Sequence, residues 1–453
     1  MIHYKKNILF FFLILVVNMT YSQKSWSLDD CIAYAIAHNL QLNDFKYNQE
    51  SNKETYRQSI RNMLPTLNAF SDYNIRYGRS VDPNNNSIVN TDFFSNNYRL
   101  NAEIDLFRGF QKVNGIKASK FLYQATNEEI THQKYLLAFR VMAAFYDIRF
   151  MEGLLSNSKE QVQVSQNNYN LVKRQVELGQ KAKADLYEAE SALLADQLLV
   201  TQSENNVTSA KLKLMQEMNL NETDAIIIVP GLVSVAEDEE NYLQDQKAIF
   251  NAAKDFVPMI KAEELKVAAS KKQLAIARGG LFPSLSLYAG YQTGYFETNV
   301  SGDTGEVISF KNQITDNASR YVGVSLNIPI SNGWSNRSRI KQQKVAMMRA
   351  DNALAVQKQQ MYQLIQQLVQ ESNALKSEYQ QSSQRMEAQV LTFDIAQKKY
   401  EKGLISTIEL NQSKNLLANA RNENLQVQLR LMVNKSTLDF YKGLPVFNIN
   451  SAQ

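Results

Sequence analysis

The chain is written twice. Met63-Leu64-Pro65-Thr66-Leu67-Asn68-Ala69-Phe70 returns in kind as Leu281-Phe282-Pro283-Ser284-Leu285-Ser286-Leu287-Tyr288. Each copy continues with alternating residues, a polar loop, a second alternating run and a glycine, Gly109 or Gly333. A long helical stretch follows, and then a second glycine, Gly179 or Gly403. These second glycines lie 224 positions apart and the prolines 218, so a six-residue insertion lies between. A repeat that combines strand periodicity with very long helical periodicity leaves few architectures open.

Four segments alternate with period two. In the first, Leu67, Ala69, Tyr73, Ile75 and Tyr77 share a face, with Asn68, Asp72, Asn74 and Arg76 opposite. The second sets Tyr98, Leu100, Ala102, Ile104 and Leu106 against Arg99, Asn101, Glu103 and Asp105. Leu285, Leu287, Ala289 and Tyr291 mark the third, and Val322, Val324, Leu326 and Ile328 the fourth. Each run is about ten residues, the length of a tilted transmembrane strand. Tyr77, Tyr98, Tyr295 and Tyr321 at the ends suit an interfacial aromatic girdle. One such run alone would read as a soluble sheet with a wet face. Four runs in two hairpins point to a membrane barrel that one chain cannot close, because the smallest single-chain barrels need about eight strands. Open edges in lipid leave backbone groups unpaired. The strands must therefore be pooled with copies of the same chain, and three copies supply twelve. The intervening loops, Gly78 to Asn97 and Gly294 to Ser319, are polar and turn-rich.

The N-terminus sets the compartment. Lys5 and Lys6, an apolar run from Ile8 to Val17, and the small residues Thr20 and Ser22 form a secretory signal over 1–22, cut before Gln23. An exported chain with one cysteine, Cys31, has no internal disulfide, and Cys31 reads as a small buried residue. Once the signal leaves, 47 basic residues face 45 acidic ones. That balance gives no sign of a nucleic-acid partner.

Proline is absent from Gln111 to Val176, from Arg339 to Lys402 and from Ile405 to Gly443. A helix over the first of these would be about 100 Å long. Its counterpart carries Met361, Leu364, Leu368, Leu375, Tyr379, Met386, Val390 and Phe393, spaced by threes and fours or multiples of that interval. Leu410, Leu417, Leu431 and Leu438 keep a seven-residue interval that Asn424 interrupts. This is a coiled-coil-like seam. Gly179 and Gly403 suit left-handed C-caps that turn the chain back, and helices restart near Ala184-Asp185-Leu186 and Thr407-Ile408-Glu409-Leu410. Each is the tip of a helical hairpin.

The ordered set resembles the TolC family of outer-membrane efflux proteins. It comprises Trp26-Ser27-Leu28-Asp29-Asp30-Cys31-Ile32-Ala33-Tyr34-Ala35 with Asn39, the paired Leu/Phe-Pro strand starts, and Tyr400-x-x-Gly403 with Glu409-Leu410. The resemblance implies a mixed α and β membrane protein of the cell outer membrane. In it, four strands per chain build a trimeric twelve-stranded barrel that continues into a periplasmic α-helical barrel. The implied organisation is a first repeat over 23–220 (β-hairpin 65–107, tip at 179) and an equatorial segment over 221–250. A second repeat follows over 251–440 (β-hairpin 283–330, tip at 403), with an equatorial tail over 441–453. The implied partners are a periplasmic adaptor, an inner-membrane pump of RND or ABC type, and outer-membrane lipid. Adaptors of the family dock around the tip glycines, here Leu178, Gly179, Gln180, Lys402, Gly403 and Leu404. Tyr400 and Asp185 match one latch pair of the closed entrance, while the family's latch arginine falls at Ile405. The acidic constriction maps to Glu409 and Gln412. Asp185 and Glu409 also suit a plainer role, as helix N-terminal acids facing the dipole.

Catalysis has no foothold in the sequence. His3, His38 and His132 lack ligand spacing, no phosphate loop or nucleophile elbow stands out, and neither cofactor nor metal is implied. Gly279-Gly280 precedes a strand and reads as a hinge or cap. The expected function is a passive conduit of a tripartite efflux pump or type I secretion system. The competing expectation is a coiled-coil structural or adhesive outer-membrane protein, for which paired tips would have no use.

Overall fold

The computed structural model describes residues 25–82, 86–220, 226–229 and 245–449. The expected signal peptide, most of the equatorial segment and the end of the tail lie outside them. In chain order the elements are β1 (Ser25–Trp26), α1 (Leu28–His38), α2 (Leu40–Arg61), β2 (Thr66–Arg76), β3 (Arg79–Val81), β4 (Ile88–Asn90) and β5 (Phe93–Arg108). Then come α3 (Gln111–Glu177), α4 (Lys183–Met218), β6 (Ile227–Ile228), α5 (Gln246–Phe256), α6 (Pro258–Gly279) and β7 (Ser284–Phe296). The last are α7 (Phe310–Asp316), β8 (Ser319–Asn327), α8 (Ser335–Glu401) and α9 (Thr407–Tyr441). The chain forms two compact units, and each draws on both copies of the repeat. One takes residues 1–44, 130–257 and 359–453, the other 45–129 and 258–358.

The second of these units holds the sheet. β2, β5, β7 and β8 pair antiparallel in that order, so the two hairpins join through β5 and β7. β2 and β8 are the edges, each paired on one side only among the described residues. Both faces of β2 are exposed, Leu67, Tyr73 and Ile75 on one and Phe70 on the other. Two glycines admit tyrosines from the neighbouring strand: Gly290 lies opposite Tyr321, and Gly323 opposite Tyr288. A Cβ at either glycine would collide with the ring it faces. Where β5 and α6 leave their elements, Gly109 and Gly279 meet backbone to backbone with no room for a Cβ on either. The Gly279-Gly280 pair thus serves a chain crossing, and Asn336 donates to the Gly280 carbonyl at 2.6 Å.

The loop between β7 and β8 is more structured than its polar composition predicts. It contains α7, whose Gln313 is fully buried. That amide donates to the Phe296 and Ile308 carbonyls (3.0 and 2.8 Å) and accepts from the Phe296 N–H at 3.0 Å. One side chain thereby satisfies three backbone groups, two at the end of β7 and one in the loop, that would otherwise need water.

The other unit is helical. Cys31, Ile32, Ala35 and Ile36 of α1 are buried, and Leu137, Met142, Ile148, Leu214 and Met218 are among its largest fully buried side chains. Ser27 and Asp30 form a capping box at the start of α1. Asn39 joins two helix ends: its side chain donates to Asn219 at 3.1 Å and accepts from the Leu42 N–H at 2.9 Å. Leu375, Val427 and Leu431 pack together in the expected α8–α9 seam, with Tyr379 against them. Among the described residues, no helix is long and apolar enough to cross a membrane.

Candidate functional site at the helical tips

Both hairpin tips belong to the helical unit and end their first helix in the same way. Gly179 has φ +72° and Gly403 φ +71°. The Gly179 N–H bonds the Val176 carbonyl and the Gln180 N–H reaches back to Gln175. Gly403 and Leu404 repeat this to Tyr400 and Lys399. These are Schellman turns, which satisfy carbonyls that a helix end leaves unpaired. The duplication carries the device further. Asn219 (φ 54°) and Gly443 (φ 84°), again 224 positions apart, end α4 and α9 with the same bond pattern. Leu178 and Leu404, beside the tip glycines, are exposed, as are Gln180 and Lys402.

The helices that restart after the tips are capped unequally. Ser406 and Glu409 form a full box: Ser406 Oγ accepts from the Glu409 N–H at 3.2 Å, and the Glu409 carboxylate accepts from the Ser406 N–H at 2.8 Å. The Ser406 backbone N–H, followed by its hydroxyl, holds the Glu409 carboxyl below the ordinary glutamate value. In the first copy Ala182 stands where the serine would be. Only half the box remains, the Asp185 carboxylate accepting from the Ala182 N–H at 3.1 Å. Both acids thus act as caps, and Glu409 and Gln412 are exposed.

Tyr400 is buried at the second tip, where its hydroxyl meets Thr407 Oγ1 at 3.2 Å and Lys181 Nζ at 3.4 Å. The Lys181 ammonium also lies 5.1 Å from the centre of the tyrosine ring. The side chain that crosses from the first hairpin to Tyr400 is therefore Lys181, while the Asp185 carboxylate, four residues on, caps its own helix. Lys181 and Thr407 are functional candidates that sequence reasoning passed over. The available signal was Lys181 standing where the second copy has Ile405.

A second bridge lies farther up the same helices. Lys414 of α9 forms a buried ion pair with Asp196 of α4. Ser165 of α3 donates to the same carboxylate and accepts from Lys414 Nζ at 2.8 Å. Asn157 adds a bond to Asn422 at 2.7 Å, and Arg421 pairs with Glu160. Lys414 stands four residues after Leu410 and three before Leu417, inside the apolar stripe. A charge at a seam position was the clue to a buried partner. Beside this bridge α3, α8 and α9 leave a groove of about 250 Å³, lined in part by Gln161, Val164, Phe393, Gln397 and Arg421. No cluster of His, Cys, Asp or Glu suited to a metal ion occurs among the described residues.

An open-edged four-stranded sheet and two helical hairpins with matching tips, each built from a duplicated sequence, define a TolC-type protein. The chain belongs to the outer membrane efflux protein family, whose sequence pattern matches residues 31–220 and 250–444. Members of that family are conduits, and the chain is not an enzyme. It is 20% identical over 328 residues to the outer membrane efflux protein BepC of Brucella suis, covering 72% of this chain and 66% of that one. To protein CyaE of Bordetella pertussis it is 25% identical over 216 residues, 47% of this chain and 42% of that one. The chain thus spans between about two fifths and two thirds of these relatives. Among solved structures, the CmeC outer membrane channel of Campylobacter jejuni superposes with a TM-score of 0.75 at 12% identity, over 94% of this chain and 87% of that one. The open-state MtrE channel of Neisseria gonorrhoeae gives 0.70 at 18% identity, over 94% and 90%.

Proposed function

We propose that this chain is the outer-membrane channel of a tripartite efflux pump or type I secretion system, working as a passive trimer. The observation that carries this reading is the sheet with two unpaired edges. Four strands cannot close in lipid, where each unpaired backbone group costs several kcal/mol. Joining β8 of one copy to β2 of the next would yield twelve strands from three copies. The helices would then line a periplasmic tube, and an inner-membrane pump and an adaptor would act at its entrance.

The adaptor is proposed to dock around Leu178, Gly179, Gln180, Lys402, Gly403 and Leu404, where two leucines stand exposed beside rigid turns. The entrance latch is proposed to run through Tyr400. Asp185 holds the Ala182 N–H and so fixes the turn that presents Lys181 to the tyrosine. Three copies of Glu409 with Gln412 would form a ring favouring cations. Single-channel recording in planar bilayers tests the reading: conductance should be low and should rise on replacing Tyr400, Lys181 or Asp185. Light scattering in detergent should give the mass of three chains. A monomeric mass, or tip variants that conduct like the parent, would refute the trimer or the latch respectively.

A further inference from the structure

The sheet carries an uneven charge from end to end. β2 begins at Thr66, β5 ends at Arg108, β7 begins at Ser284 and β8 ends at Asn327. The pairing of Ser284 with both Arg108 and Asn327 gathers these strand ends at one side of the sheet. The segments that continue from them are basic. Between Ile328 and Val345 stand four basic residues and no acid, and between Asp105 and Lys120 four basic residues and one acid. Arg61 and Arg278 occupy the other two junctions. The loops at the opposite end, Gly78–Asp92 and Glu297–Asn317, hold six acidic residues against two basic. Few of the junction charges are neutralised among the described residues. Arg108 and Lys112 share Asp105, and Arg61 meets Glu54. Arg278, Arg339 and Lys341 have no acidic partner among the described residues and are exposed.

The same junctions present apolar side chains in costly conformations. Phe110 (φ 58°) and Trp334 (φ 65°) occupy the left-handed region directly after Gly109 and Gly333, at positions equivalent in the two copies. Bulky residues rarely adopt that region, and strain of this kind collects where a side chain has work to do. Both side chains are turned outward, 63% and 69% exposed. Leu64, Phe282 and Ile330 at these junctions are exposed as well. Arg337 stacks its guanidinium 4.3 Å from the centre of the Trp334 ring. Aromatic rings with cations beside them match a membrane interface, where the ring sits among the headgroups and the cation meets phosphate.

We propose that this end of the sheet is a docking surface for the anionic headgroups of phospholipids, with Phe110 and Trp334 as wedges and Arg337, Arg339 and Lys341 as phosphate contacts. The proposal rests on the outer-membrane reading and adds the lipid charge and the residues that select it. The rival occupant of the same apolar collar, a second copy of the chain, would not need the excess of basic residues.

The chain's two tryptophans supply the assay. In the Trp26→Phe variant, Trp334 is the sole tryptophan. The full-length protein is reconstituted in phosphatidylcholine vesicles containing brominated phosphatidylglycerol or, in parallel, brominated phosphatidylcholine. Each basic residue at an anionic surface is worth about fivefold in affinity, so half-quenching by phosphatidylglycerol should need roughly a tenth of the mole fraction or less. The preference should vanish in an R337Q/R339Q/K341Q variant and fade at high salt, while Lys311→Gln at the opposite end keeps it. Equal quenching by the two lipids would overturn the headgroup selection. Absence of quenching by either, in protein that has entered the vesicles, would assign the collar to another copy and overturn the docking surface. Failure to enter vesicles of any composition would instead strike the outer-membrane reading beneath it.

Discussion

Gly179 and Gly403 have open space where a Cβ would go, so alanine there meets backbone strain and nothing else. That strain is about 1–2 kcal/mol per residue in the left-handed region. Gly109 has the same positive φ and also touches the Gly279 carbonyl. Gly109→Ala should therefore lower the thermal midpoint more than Gly179→Ala or Gly403→Ala, as followed by circular dichroism. Glu409 gives a pH dependence. Its carboxyl is depressed by the Ser406 N–H and hydroxyl, so the cap contributes above the ordinary glutamate value of about 4.3 and is lost as pH falls through the lower folded-state value. Amide exchange at Thr407–Leu410 should speed up in that acid range once intrinsic rates are removed, and Glu409→Gln should abolish the change. The caps themselves were legible as Gly and acid at fixed offsets. Tyr400's partner was not, because Lys181 lies 219 positions away and a four-residue shift separates it from Asp185.

At the scale of elements, α9 is held against the first hairpin by a charged pair in a nearly dry seam. Breaking such a pair from one side leaves the other charge buried, at about 3–5 kcal/mol, whereas replacing both partners with apolar residues is often neutral. Lys414→Met should thus destabilise strongly, and the D196L/K414M double variant should recover most of the loss in thermal unfolding. The exposed pairs on the same helices, such as Arg430–Glu371, should each be worth no more than about 1 kcal/mol. In the sheet, Gly290→Ala forces a methyl group into Tyr321 and should cost about 1–3 kcal/mol. Combining it with Tyr321→Ala should relieve the clash. Strand existence and helix length were plain from period and from missing prolines. The glycine–tyrosine fit was not, since it depends on β7–β8 register, which alternation alone leaves free by steps of two.

For the whole molecule, the asymmetry between the copies outweighs their likeness. The first tip offers Lys181 and half a capping box, and the second offers Tyr400 and a full one. The buried bridge has a lysine in one copy where the other has Glu190, and an aspartate where the other has Ala420. These differences mean that the two hairpins are held unequally. Amide exchange should report a looser first restart, around Lys183–Leu186, than the second, around Thr407–Leu410. Exchange that is equal at both tips would contradict this.

The sequence by itself determined the duplication, the four long strands, the long helices and the glycine turns. Each of these follows from bonding between near neighbours in the chain and from which side of an element must leave water. The tertiary structure alone decided that Lys181 reaches Tyr400, that Lys414 finds Asp196 and Ser165, and that Gln313 fills a loop. Those contacts join segments tens to hundreds of residues apart, and they depend on the rotation and offset of packed elements. Periodicity fixes which face an element buries, but it does not say which polar residue on the facing element stands opposite.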